Sequence, residues 1–125
     1  MGLLGRFWRR RRKNTRVSAR LLVLITVREG DERMCRTEDV SETGMRIDLS
    51  EVPTIADLTG GNREVRVSLV PREGEEPIQL VAEPIWTDSD EEGTRTSGWM
   101  FCEYPGDARG RLLKLVQEIE ERDGS

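Results

Sequence analysis

Between Val17 and Tyr104 the chain never runs far without a turn-forming residue. Glu29-Gly30-Asp31, Asp39–Gly44, Gly60-Gly61-Asn62 and Pro71-Arg72-Glu73-Gly74 cut it into short segments. Within them, Met45, Ile47 and Leu49 alternate with Arg46, Asp48 and Ser50, and Val65, Val67 and Leu69 alternate with Glu64, Arg66 and Ser68. A period of two buries one set of side chains on one face and leaves the other in water, the pattern of a half-buried strand. The block Arg16–Arg28 holds the aliphatic run Leu21–Ile25 and reads as a strand, with Glu32–Val40 returning. Ile78–Trp86 and Thr94–Tyr104 supply two more, joined through an acidic tip, Asp88–Gly93. Ser50–Asn62 is a connection with room for a helical turn at Ile55–Leu58. Five to six short antiparallel strands predict a closed or nearly closed barrel, because closure removes the exposed edges of a small sheet.

The period changes after Pro105-Gly106. Leu112, Leu115, Val116 and Ile119 fall at helical spacing, and Asp107 stands where an N-cap would. One amphipathic helix laid over the barrel is expected. At 125 residues the chain suits a single domain, and equal hydrophobic and charged shares of 35% predict a small core under an ionised surface. Met1 and the polar end Asp123-Gly124-Ser125 suit a complete chain. Cys35 and Cys102 lie in strand-like stretches and read as buried small hydrophobes rather than a disulfide; with no histidine, no metal site is expected. No apolar run is long enough to span a bilayer and no secretory h-region is present, so the cytoplasm is the expected compartment.

Charge is distributed unevenly. Eight of the 20 basic residues (Arg6, Arg9, Arg10, Arg11, Arg12, Lys13, Arg16 and Arg20) fall in the first 20 positions with no acid among them. The rest carries 12 basic against all 24 acidic residues, so a +8 arm is joined to a −12 body. Such an arm attracts anions while the body discourages indiscriminate binding to nucleic acid. Within the arm, Arg12-Lys-Asn-Thr-Arg16 has the form RxxxR; downstream, Asp39-Val-Ser-Glu-Thr-Gly44 has the form DxSxxG. Guanidinium forks suit phosphate oxygens and stack on flat bases, and a short acidic and hydroxyl turn closed by glycine can present acceptors and N–H groups to a small ligand.

In this order and spacing the two motifs resemble the PilZ domain family of bacterial cyclic di-GMP receptors, over about residues 10–120. The strand ending at Trp86, the stretch Gly98-Trp-Met-Phe101 and the final helix add to the likeness. The resemblance implies a mainly β fold, a six-stranded antiparallel split barrel with a C-terminal α-helix. Residues 1–11 would be a flexible basic arm and residues 12–122 the PilZ-like domain. It also implies a ligand, cyclic di-GMP, with no other cofactor. Arg12 and Arg16 would hold phosphates and stack on guanine, Asp39 and Ser41 would contact guanine and its neighbouring atoms, and Gly44 would keep the turn tight. Arg11 is a candidate third arginine. Trp86 reads first as a barrel residue, although its strand end could face the ligand. A second RxxxR, Arg16-Val-Ser-Ala-Arg20, overlaps the first; Val17 as the start of the strand favours Arg12/Arg16, with Arg16/Arg20 as the alternative register.

Enzyme activity has little support, since the chain has no histidine base, no P-loop and no nucleophile with an evident activating partner. The expected role is a receptor or adaptor whose arm orders over the barrel on binding and signals to a downstream protein. Two rivals remain. One is a nucleic-acid or anionic-membrane module acting through the basic arm, where Phe7 and Trp8 sit among arginines; specific nucleic-acid binding is not expected, but membrane contact by the arm is open. The other is a PilZ-like adaptor that binds no ligand.

Overall fold

A computed structural model describes residues 16–50, 54–89 and 95–124. The expected arm, with Arg11 and Arg12, lies outside the described residues, as does most of the acidic tip. In chain order the elements are β1 (Val17–Ser18), β2 (Leu22–Arg28), β3 (Asp31–Val40), β4 (Gly44–Asp48), helix α1 (Ile55–Thr59), β5 (Val65–Val70), β6 (Ile78–Ser89), β7 (Arg95–Glu103) and helix α2 (Ala108–Gly124). All strand pairings are antiparallel, and the order β3-β2-β5-β6-β7-β4 returns to β3. This is a closed six-stranded barrel with a C-terminal helix, as the turns and alternation predict, plus a short seventh strand, β1, on the outside of β3.

The block Arg16–Arg28 is not one strand. β1 pairs with the end of β3 (Val17 opposite Val40, Ser18 opposite Asp39), whereas β2 pairs with its beginning, from Leu22 opposite Arg36 onward. Between them the chain loops around Thr37. The Thr37 hydroxyl accepts from the Leu21 N–H at 2.8 Å and donates to the Ala19 carbonyl, while the Thr37 N–H donates to the Leu21 carbonyl at 2.9 Å. A buried threonine thus satisfies the backbone groups that the break in pairing would otherwise leave orphaned.

Of the four register shifts among the described strands, two reset the faces of residues that matter below. In β3, Thr37 opposes Ile47 but Asp39 opposes Arg46, so Glu38 is an extra residue. In β6, Pro84 opposes Trp99 but Trp86 opposes Gly98, so Ile85 is extra. Each inserted residue turns the side chains after it to the opposite face.

Inside, Val23, Ile25, Val67, Leu69, Leu80, Met45, Ile47 and Trp99 form one core with Leu58 of α1. α1 begins at Thr54, whose hydroxyl accepts from the Asp57 N–H at 3.1 Å, and ends at Gly60, which has φ 64°. Cys35 and Cys102 are free thiols; Cys35 is buried as expected, Cys102 only partly, and burial, reinforced by Asp48, pushes Cys35 up to about 11. The Asp107 carbonyl accepts from the Arg111 N–H, so Asp107 occupies the N-cap position of α2. α2 lays Ala108, Leu112, Leu115, Val116 and Ile119 on the barrel over β6 and β1. Arg111 ties it to the β5–β6 turn by donating to the carbonyls of Pro77 and Glu76. Among the described residues no helix is long and apolar enough to cross a membrane. Leu112 has no exposed surface, so Leu112→Ala should lower stability by about 2–5 kcal/mol in urea unfolding, whereas exposed Lys114→Ala should change it by less than about 0.5 kcal/mol.

Candidate functional site on the outer face of the barrel

Continued alternation along β3 would point Asp39 inward with Cys35 and Thr37. The Glu38 bulge turns it outward instead, beside Arg46. Arg46 pairs with Gly98, and Gly98 with Trp86, so Asp39, Arg46, Gly98 and Trp86 form a row across four strands of the outer face. Asp39 is 5% exposed although it lies outside the barrel, because guanidinium groups cover it. The Arg16 Nη1 donates to its Oδ1 at 2.6 Å, and the Arg46 Nη2 sits 3.0 Å from its Oδ2. Arg46 also sets its Nε 3.3 Å from Glu38 Oε2, so the bulge residue helps fix it.

The two overlapping RxxxR registers end at different acids. Arg16 reaches Asp39, while Arg20 reaches Asp48 Oδ2 at 3.4 Å. The Asp48 carboxyl lies below the ordinary carboxylate range, chiefly because the Ser50 N–H donates to its Oδ1 at 2.9 Å, an effect that outweighs desolvation, with Arg20 adding to it.

The turn after Asp39 is held from within. The Ser41 N–H donates to the Gly44 carbonyl at 2.8 Å, and the Ser41 Oγ accepts from the N–H groups of Thr43 and Gly44 at 3.2 Å each. With 1% exposure, Ser41 shapes the turn through its hydroxyl. β7 and the residue after it grip the same turn from outside: the Phe101 N–H donates to the Thr43 carbonyl at 2.9 Å and the Tyr104 hydroxyl to the Glu42 carbonyl at 2.6 Å. The Arg109 guanidinium of α2 lies 5.6 Å from the Tyr104 ring centre, linking helix to turn. Gly44 is required for space, since a Cβ there would collide with the Trp99 carbonyl oxygen.

Trp86 belongs to a barrel strand, β6, but not to the core. The Ile85 bulge puts it outside, 45% exposed, with its indole against Gly98, where a Cβ would strike the ring. Ile85 and Met100 are exposed nearby on the same two strands. Of the anticipated site residues, Arg16, Asp39, Ser41 and Gly44 are thus brought together, Trp86 stands at the far end of the row, Arg20 is directed to Asp48, and Arg11 and Arg12 lie outside the described residues. Arg46, Glu38, Gly98 and Tyr104 were not anticipated. Arg46 looked like any outward residue of an alternating strand, and only the bulge gives it Asp39 as a neighbour.

Two other features lie away from this row. Glu64, Glu83 and Cys102 bring one donor atom each within 4.8 Å, but Glu83 Oε1 is taken by Arg63 at 3.0 Å and desolvation pushes the Cys102 thiol up. A groove of 490 Å³ over Leu21, Leu22 and Val70 is lined by neither Asp39 nor Ser41.

The sequence matches the model of the PilZ domain over residues 10–118. The chain belongs to the PilZ domain family. Solved structures share the fold at low identity. The PilZ domain of Escherichia coli YcgR with c-di-GMP is 14% identical with a TM-score of 0.68, over 90% of this chain and 94% of that one. The K. pneumonia MrkH–c-di-GMP complex is 12% identical with a TM-score of 0.72, over 90% of this chain. Bacillus subtilis MotI/DgrA, an inhibitor of motility, is 19% identical with a TM-score of 0.67, over the same share. This chain spans only about half the length of MrkH and MotI/DgrA, 53% and 51%. No curated protein matches.

In this PilZ domain, Gly44→Ala pits a methyl group against backbone that cannot step aside, so a loss of about 1–3 kcal/mol is expected in thermal unfolding. Asp48→Asn should destabilise at neutral pH. A carboxylate whose folded pKa is depressed contributes fully above its ordinary value near 3.8 and loses that contribution as pH falls through the folded value. The wild-type and Asp48→Asn stabilities, followed by urea unfolding from pH 7 to 2.5, should therefore converge at the acid end.

Proposed function

We propose that the protein is a cyclic di-GMP receptor that binds the dinucleotide on the outer face, between the N-terminal arginines and the Asp39–Gly44 turn. The observation that carries this is the 2.6 Å pair between Arg16, last residue of RxxxR, and Asp39, first of DxSxxG, 23 positions apart. Family membership and the c-di-GMP in the YcgR and MrkH structures support the choice of ligand.

In the ligand-free protein Asp39 Oδ1 is occupied by Arg16, whose side chain is 51% exposed and so can leave. Guanine N1–H and N2–H are donors that can take its place at the carboxylate; adenine has no such pair. Arg16, once released, is a free fork for a phosphate beside it, and Arg12, with Arg11 next to it, supplies a second. Ser41 and Gly44 keep the turn in the shape that offers Asp39. The arm then lies across the barrel, and the changed surface is what a downstream protein reads. Ordering the arm costs on the order of 1–2 kcal/mol per residue, so micromolar rather than picomolar binding is expected.

Titration calorimetry of the full chain with cyclic di-GMP tests the reading. Arg16→Ala and Arg12→Ala should each weaken binding at least about tenfold, the loss of one charge-assisted pair. Asp39→Ala should narrow the preference for cyclic di-GMP over cyclic di-AMP more than it lowers phosphate affinity. Unchanged affinity in both arginine variants removes the site. Salt-sensitive binding of DNA or anionic vesicles with no preference for the dinucleotide would point to a basic-arm module instead.

A further inference from the structure

Arg46 lies directly opposite Asp39 in the β3–β4 register, so both side chains rise from the same face one strand apart. One edge of its guanidinium is committed: Nε faces Glu38 and Nη2 faces Asp39 Oδ2. Glu38 and Asp39 are its partner residues among those described, and the side chain is 44% exposed. Two carboxylates fix the fork without consuming it. Beyond Arg46 the next position in the row is Gly98, so no side chain rises from that strand before the indole of Trp86.

We propose that Arg46 reads the O6 and N7 atoms of the guanine whose amino edge is held by Asp39, making it a specificity-determining residue of this site. The inference rests on the cyclic di-GMP reading above and adds a residue to it. Its basis is the order of atoms. Along the row run Asp39 Oδ1, Asp39 Oδ2 and then the free side of the Arg46 fork. Around guanine run N2–H, N1–H, O6 and N7, two donors followed by two acceptors. Acceptor meets donor at the first two positions, and donor meets acceptor at the next two. Oδ1 is the atom Arg16 holds, so the exchange of Arg16 for N2–H leaves the Arg46–Oδ2 contact standing beside N1–H. Adenine reverses the pattern, placing its N1 acceptor at the carboxylate and its N6 donor near the guanidinium. Each mismatch penalises it, so Asp39 and Arg46 together discriminate where Asp39 alone would do so by half. A lysine at this position would bring charge without the planar fork that can hold two acids and still face a base.

Titration calorimetry of the full chain with cyclic di-GMP and with its 7-deazaguanine analogue, which lacks the N7 acceptor, tests this directly. Wild type should bind the analogue about tenfold more weakly, the loss of one hydrogen bond from a charged donor. Arg46→Gln should weaken cyclic di-GMP binding and then show no further penalty for the analogue; Arg46→Lys should keep part of it. A residue that only props up Asp39 would leave the penalty unchanged in Arg46→Gln, and that result overturns the inference. Equal binding of the two ligands by wild type overturns it as well, without need of any variant. Failure of wild type to bind cyclic di-GMP at all is a different outcome: the receptor reading falls, and this inference with it.

Discussion

The barrel closes because β3 pairs with both β2 and β4, and the same strand also carries β1. β3 meets β2 along its first half, β4 along its second, and β1 at its very end. A ten-residue strand cannot change partners on one edge without leaving backbone groups unpaired, and Thr37 resolves the change. Its hydroxyl and its amide bridge the gap between Ala19 and Leu21. The candidate site depends on that junction. The chain after β1 is pinned there, so Arg16, just ahead of β1, is delivered to the end of β3 where Asp39 stands.

Asp39 itself depends on a second local irregularity. A regular β3 would bury the carboxylate in the core, at the cost of several kcal/mol for an unpaired buried charge. The extra residue Glu38 moves it outside, where cations can reach it, and Glu38 then helps hold Arg46, which flanks it. The turn after Asp39 is braced by Ser41 from within, by Phe101 of β7 and by Tyr104 just after it. The end of the last strand therefore braces the turn as directly as the turn's own residues do. Arg109 beside Tyr104 continues the link into α2.

Much of this was legible in the amino-acid order. Alternation at Met45–Ser50 and Glu64–Leu69, glycine and proline at the turns, and helical spacing after Asp107 specify strands, breaks and helix through burial alone. The pairing of Arg16 with the DxSxxG turn was legible from the motifs. The rest was hidden for a common reason: period-two reasoning counts residues one by one, and a bulge adds one without any change in residue type that marks it. Asp39 and Trp86 both come after such an addition, so their faces could not be counted from the strand start. Arg46 was hidden for the same cause, since its neighbour across the strand depends on where the count slips. The split of Arg16–Arg28 into β1 and β2 has a further reason: nothing in Ala19-Arg20-Leu21 marks a break, and Thr37, which holds it, is distant in sequence.

The offsets at Glu38 and Ile85 also bear on how such a surface can arise or vanish in descent. Excising the Glu38 codon would swing Asp39 into the interior and turn the core residue Val40 out to solvent in its place. Point replacements sample chemistry at fixed orientation; a single-codon indel resets orientation for the whole downstream stretch. A comparison of letters records such a change as a single gap, although it turns every residue after it in the strand to the other face.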